Sequence, residues 1–150
     1  MTEIRFYHLE ASRVADEAPK LLEKAYATGL KTLVRCPDDQ TVSALDKSLW
    51  TYDPASFLPH GTVVDKAAAD QQPVYLTDGS ENPNEAKLLL MVDGAVGGDA
   101  DQFDRCFYMF NGSDDSVLAK ARNDWKHYKD QGFDVSYWQK DPNGKWSQKA

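Results

Sequence analysis

The sequence predicts an α/β fold: a three-layer, open, mostly parallel sheet with helices on both faces. Three observations predict it. Segments rich in β-formers alternate with stretches of helical period, and such alternation calls for right-handed crossovers between parallel strands. Two of the strand segments, KTLVRC (31–36) and LLLMV (88–92), are nearly continuous in apolar character, as expected of strands covered on both faces. At 150 residues the chain is long enough to bury a core as a single domain spanning 1–150.

The elements follow in order. IRFYHL (Ile4–Leu9) is a short strand. A polar connection runs from Glu10 to Asp16. Val14, Ala18, Leu21, Leu22, Ala25 and Tyr26 then repeat at helical spacing, with Pro19 placed early and Gly29 closing the helix. After the second strand, Asp38 or Asp39 caps a helix whose buried stripe is Val42, Leu45 and Leu49 and which leads into Trp50. The stretch Gly61–Gln72 reads as a loop or short helix. PVYLT and LLLMV are further strands, separated by the loop DGSENPNE. A short helix is expected around Gln102–Arg105, followed by the strand CFYMFN. Ser113–Phe133 is a long amphipathic helix, capped by Ser113 with Asp114 and Asp115 at its positive end, and terminated by Gly132. Around Asp141-Pro142-Asn143-Gly144 the residues predict a hairpin, and the terminal SQKA is expected to fray.

Composition narrows the function. The net charge of −7 argues against a broad nucleic-acid surface, which needs a positive field. The chain has no apolar run of membrane-spanning length. Its N-terminus, MTEIRFYHL, lacks a basic segment followed by an apolar one, so the cytoplasm is the expected location. Cys36 and Cys106 stand far apart with no metal-ligand spacing, and buried free thiols are expected.

Catalytic signals are missing. The first strand-to-helix connection contains no glycine, and neither GxGxxG nor GxxxxGK[ST] occurs. The glycines of DGAVGGDAD are ringed by Asp93, Asp99 and Asp101, which repel phosphate. His8, His60 and His127 are scattered, and no Ser or Cys sits in a nucleophile elbow. A doubly wound sheet without its phosphate loop is expected to be a binding scaffold with no catalytic residue, metal or cofactor.

Two surfaces carry binding chemistry. On the long helix, Val117, Ala121 and Tyr128 share a core face, with Leu118 and Trp125 at its edge and Arg122, Lys126 and Lys129 just beyond. One reading tucks Trp125 under a neighbouring loop with lysine stems covering it. The other makes the flank a pocket for a peptide that is both acidic and apolar. The second surface is WTYDPASFLPHG (50–61), which sets Trp50, Tyr52, Phe57 and Leu58 among polar residues and prolines. These side chains either fill a satellite core or anchor a protein partner.

The order FYHL, LLEKAYATGLKTLVRC, ALDKSLWTYDPASFLPHG and ARNDWKHYKDQGFDV resembles the chi subunit of bacterial DNA polymerase III over essentially the whole chain. The most specific segments are Leu49, Trp50, Ser56, Phe57, Pro59 and His60, and then Trp125, Lys126, Tyr128, Lys129, Gly132 and Phe133. The resemblance implies a nucleotide-binding-like fold lacking the phosphate loop and a non-catalytic accessory subunit. Such a subunit bridges the clamp loader, through psi, to the acidic, aromatic C-terminal tail of the single-stranded-DNA-binding protein. The tail site maps onto Arg122, Trp125 and Lys126, with Val117 and Leu118 as apolar walls and Lys129 on the same flank. The psi surface maps onto Trp50, Phe57 and Pro59, a surface that some chi proteins give to a repair helicase. Trp125 stands where the family usually has Tyr, and Leu118 where it often has a basic residue, so weaker tail affinity or an altered salt dependence is expected. The alternatives are an adaptor for a repair helicase alone and a nucleotide-dependent enzyme. Direct nucleic-acid binding is expected to be slight.

Overall fold

A computed structural model describes residues 2–10, 12–53, 58–63, 69–95, 97–140 and 143–150. Its strands are β1 (Glu3–Leu9), β2 (Thr32–Arg35), β3 (Gly61–Thr62), β4 (Val74–Thr77), β5 (Leu88–Val92), β6 (Arg105–Asn111), β7 (Asp134–Lys140) and β8 (Trp146–Gln148). The α-helices are α1 (Val14–Ala27), α2 (Asp39–Thr51) and α3 (Asp115–Asp130). They form one sheet in the order β3-β4-β2-β5-β6-β1-β7-β8. Every neighbouring pair is parallel except β7 with β8. The expected α/β architecture is therefore present.

Successive strand residues face opposite sides of a sheet, and the two sides hold separate cores. On one side, Val14, Ala18, Leu22 and Ala25 of α1 and Val42, Leu45 and Leu49 of α2 meet strand residues such as Leu9, Val34, Leu90 and Met109. On the other, Ala121 and Tyr128 of α3 meet Ile4, Phe6, Leu89 and Tyr108. All five residues of β5 are buried, which is why its sequence is apolar without alternation. Cys36 and Cys106 are buried free thiols, and burial pushes both up to about 12.

Several local expectations change. Asp114, not Ser113, caps α3: its Oδ1 accepts from the amides of Ser116 (3.0 Å) and Val117 (3.3 Å). The Ser113 hydroxyl instead donates to the Glu10 carbonyl at 3.1 Å, tying the helix entrance to the end of β1. The short helix near Gln102 is a 3-10 turn at Ala100–Gln102, and Arg105 already begins β6. Gly61–Gln72 contributes a two-residue edge strand and a 3-10 turn at Ala69–Gln71. Pro19 lies inside α1, not at its start, so the Ala15 carbonyl has no helical donor above it. SQKA does not fray: Ser147 and Gln148 belong to β8, and the amides of Lys149 and Ala150 donate to the Tyr137 carbonyl. Asp141 and Pro142 of the hairpin lie outside the described residues, and Gly144 beyond them has the left-handed φ of 81°.

Candidate functional site

The α3 flank is built from three elements. Gly132, at φ 91°, ends α3: its amide donates to Lys129 and that of Phe133 to Tyr128, pairing the last carbonyls. The Phe133 ring closes edge-on over Tyr128 at 5.4 Å. So fixed, α3 lays Trp125 edge-on against Phe6 of β1 (5.6 Å) and Tyr137 of β7 (5.7 Å). Such ring pairs are worth about 0.5–1.5 kcal/mol beyond the area they bury. Trp125 is thus half-buried and immobilised, and it closes one side of a cavity of about 310 Å³ lined by His8, Arg122, Trp125, Tyr137, Gln139 and Ala150.

Arg122 lines that cavity and has no acidic partner among the described residues. Exposed Lys126 stands one turn beyond it, also without one. Lys129 places its Nζ 5.9 Å from the centre of the Trp125 ring. Lys120, by contrast, is committed to Asp124 at 2.7 Å, and the same Asp124 oxygen accepts from the Tyr108 hydroxyl at 2.6 Å. It does not supply the cation absent at Leu118. The Tyr137 hydroxyl meets His8 Nδ1 at 2.6 Å. Burial pushes the Tyr137 phenol up, while the Arg122 charge pulls it down and Glu10 pushes it up. The phenol is therefore neutral at physiological pH and available for hydrogen bonding. Gly112 lies tight against His8, since a Cβ there would come within 1.9 Å of its Nε2.

The structure therefore brings Arg122, Trp125, Lys126 and Lys129 onto one flank. Val117 and Leu118 pack against the second core and do not line the cavity. His8, Tyr137 and Gln139 were missed by the sequence. The alternation in β7 marks Tyr137 and Gln139 as same-face neighbours, but only the strand order sets β1 and β7 side by side under α3.

On the second surface, Leu58 is buried in the core under α2, and Trp50 at the end of α2 is 58% exposed. His60 connects them. Its Nδ1 lies 2.9 Å from the Leu58 carbonyl, its Nε2 lies 2.8 Å from Asp46, and its ring is 4.9 Å from that of Trp50. Pro59 is half-buried in the same segment, and Tyr52 donates to Glu23 at 2.8 Å. Phe57 and Ser56 lie outside the described residues.

The class defined by fold and surfaces is an open parallel α/β scaffold carrying an aromatic cavity flanked by cations and an exposed tryptophan. The chain belongs to the family described as DNA polymerase III chi subunit, HolC, whose sequence model matches residues 1–136. It is 28% identical to the DNA polymerase III subunit chi of Pseudomonas aeruginosa over 136 residues, covering 89% of this chain and 93% of the relative. It is 34% identical to the probable DNA polymerase III subunit chi of Rickettsia prowazekii over 92 residues, or 61% of this chain and 55% of that protein's length. Identity to the Haemophilus influenzae chi subunit is 25% over 124 residues, 82% and 85% of the two chains. The family places the chain among the accessory subunits of DNA replication. Among the described residues no helix is long and apolar enough to cross a membrane.

Proposed function

We propose that this protein is a non-catalytic adaptor that links the clamp loader to the C-terminal tail of single-stranded-DNA-binding protein. The observation that carries the reading is Arg122, without an acidic partner among the described residues, lining a cavity walled by Trp125, whose ring packs edge-on against Phe6 and Tyr137. An acidic peptide with an aromatic anchor needs a cation free of internal partners and a rigid apolar wall. Many tails displayed on one coated strand raise the effective concentration of a weak contact. Trp50, held out beside the His60 ring, serves the second partner, for which we propose psi. A repair helicase would use the same surface.

The test is anisotropy of a fluorescent tail peptide titrated with the full chain. Arg122→Ala should weaken binding roughly tenfold or more, and Trp125→Ala comparably. Trp125→Tyr, which keeps a ring against Phe6 and Tyr137, should retain most of it. Equal affinity in wild type and Arg122→Ala would remove the tail from this flank.

A further inference from the structure

A second cavity, of about 750 Å³, lies on the face of the sheet opposite Trp125. Tyr7 of β1 and Phe107 of β6 form its floor, Leu21 and Lys24 of α1 one wall, and Lys140 and Trp146 of the β7–β8 hairpin the other. The rings make a row: Tyr7 and Phe107 lie 6.3 Å apart with planes 25° from parallel, and Trp146 meets Tyr7 edge-on at 5.1 Å. Cations are interleaved with these rings. Arg5 sits 5.8 Å from the adjoining Trp138 ring, and Lys140 5.6 Å from Trp146.

The charge of this cleft opposes that of the chain. Five cations (Arg5, Lys20, Lys24, Arg105, Lys140) line it against two acids, Glu17 and Asp104, in a protein of net charge −7. Three of the five are engaged. Arg5 pairs with Glu3, and the buried Glu17 takes Lys140 at 2.5 Å and Lys20 at 3.7 Å. Lys24, in the last turn of α1, and Arg105, at the start of β6, have no acidic partner among the described residues. Two unneutralised cations therefore stand at the rim of an apolar, ring-floored slot.

We propose that this cleft binds a nucleotide, its phosphate held by Lys24 and Arg105 and its base lying against the Phe107–Tyr7–Trp146 row. An ammonium and a guanidinium converge on a phosphate well, and ring faces accept any base without hydrogen-bond readout. The volume is in the range of small-ligand sites. A peptide fits the cleft poorly. Extended peptides dock by main-chain pairing at a sheet edge, and β1, β5 and β6 beneath this cavity are paired on both sides. The nucleotide comes either free or as part of a single strand. In both cases the net negative charge keeps the affinity modest and sensitive to salt.

The experiment is a titration of the full, isotopically labelled chain followed by amide and indole NMR shifts. The probes are deoxyadenosine monophosphate, a short oligothymidylate, inorganic phosphate and an acidic, aromatic peptide. Both nucleotide probes should produce saturable shifts at Lys24, Arg105 and the Trp146 indole. The exposed substitutions Lys24→Gln and Arg105→Gln should each weaken binding roughly tenfold, while Arg122→Ala leaves it unchanged. Equal affinity for the mononucleotide and the strand identifies a free nucleotide as the ligand. Much tighter binding of the strand identifies DNA. The proposal is overturned by no shift at about 10 mM nucleotide, by shifts confined to α3, by inorganic phosphate reproducing the whole effect, or by the peptide alone saturating these residues. The outcome does not depend on the tail site, whose failure would appear in the tail-peptide titrations of Arg122→Ala and Trp125→Ala and not in the nucleotide titrations.

Discussion

Arg35 heads the largest side chains wholly removed from solvent, and its guanidinium holds the loops beyond the ends of the strands. It donates to both carboxylate oxygens of Asp99 (2.5 and 2.8 Å) and to the Ser80 carbonyl (2.7 Å), with the Phe103 ring 5.8 Å away. In open α/β sheets, ligands enter at the carboxyl ends of the strands. Here an arginine at the end of β2 fastens two loops there. Removing Asp99 strands a buried charge, so Asp99→Ala should cost about 3–5 kcal/mol in urea unfolding, and pairing it with Arg35→Met should recover part of that loss. A cost near zero for the single variant would dismiss the clamp. The pH dependence has a definite sign. The hydrogen bond from Arg35 holds the Asp99 carboxyl below its ordinary 3.8, against the opposing effect of burial. A group whose pKa falls on folding contributes its full stability above the unfolded value and loses it as pH drops through the folded one. Acid unfolding of the wild type should therefore steepen below about pH 4, and Asp99→Asn should lack that component.

At the scale of the element, α3 decides whether Trp125 and Arg122 are presented at all. Asp114 satisfies two amides of its first turn, while Ser113 is spent on Glu10. Asp114→Ala should thus lower the urea midpoint more than Ser113→Ala, and the reverse order would restore the serine cap. Both residues have capping chemistry, and sequence cannot say which of two adjacent candidates holds the half-turn geometry, because the contact with β1 that diverts Ser113 is tertiary. The C-terminal cap was legible because Gly132 has to adopt φ 91°. Half of the tail-site candidate was legible for the same kind of reason: Arg122, Trp125, Lys126 and Lys129 follow from helical periodicity alone. His8, Tyr137 and Gln139 sit far off in sequence and join the site only through the β1–β7 pairing. Leu118 shows the limit of periodicity. It shares the flank by angle, yet packs against the core about one turn before Arg122, the first α3 residue to line the cavity.

The whole molecule sets its two candidate surfaces apart. The alternation of strands and helices made the parallel sheet legible, but the placement of β1 between β6 and β7 is non-local and has no sequence signature. That order puts α2, with Trp50 at its end, on one face and α3 on the other, with the full thickness of the sheet between them. A bridging protein gains from this layout: partners on opposite faces neither collide nor share side chains, and sites without shared contacts contribute independently. If Trp50 and the Arg122 cavity serve two partners, each should bind with the other in place. Trp50→Ala should then abolish capture of psi or a helicase while changing the tail-peptide affinity less than about twofold, and Trp125→Ala should do the converse. A three-component sedimentation run should show one complex containing both partners. Mutual displacement would mean that both compete for one face and that the chain cannot bridge. Added salt should weaken a tail contact at Arg122 more than a partner contact at Trp50, because the former would rest on cations without an acidic partner among the described residues and the latter on an exposed ring.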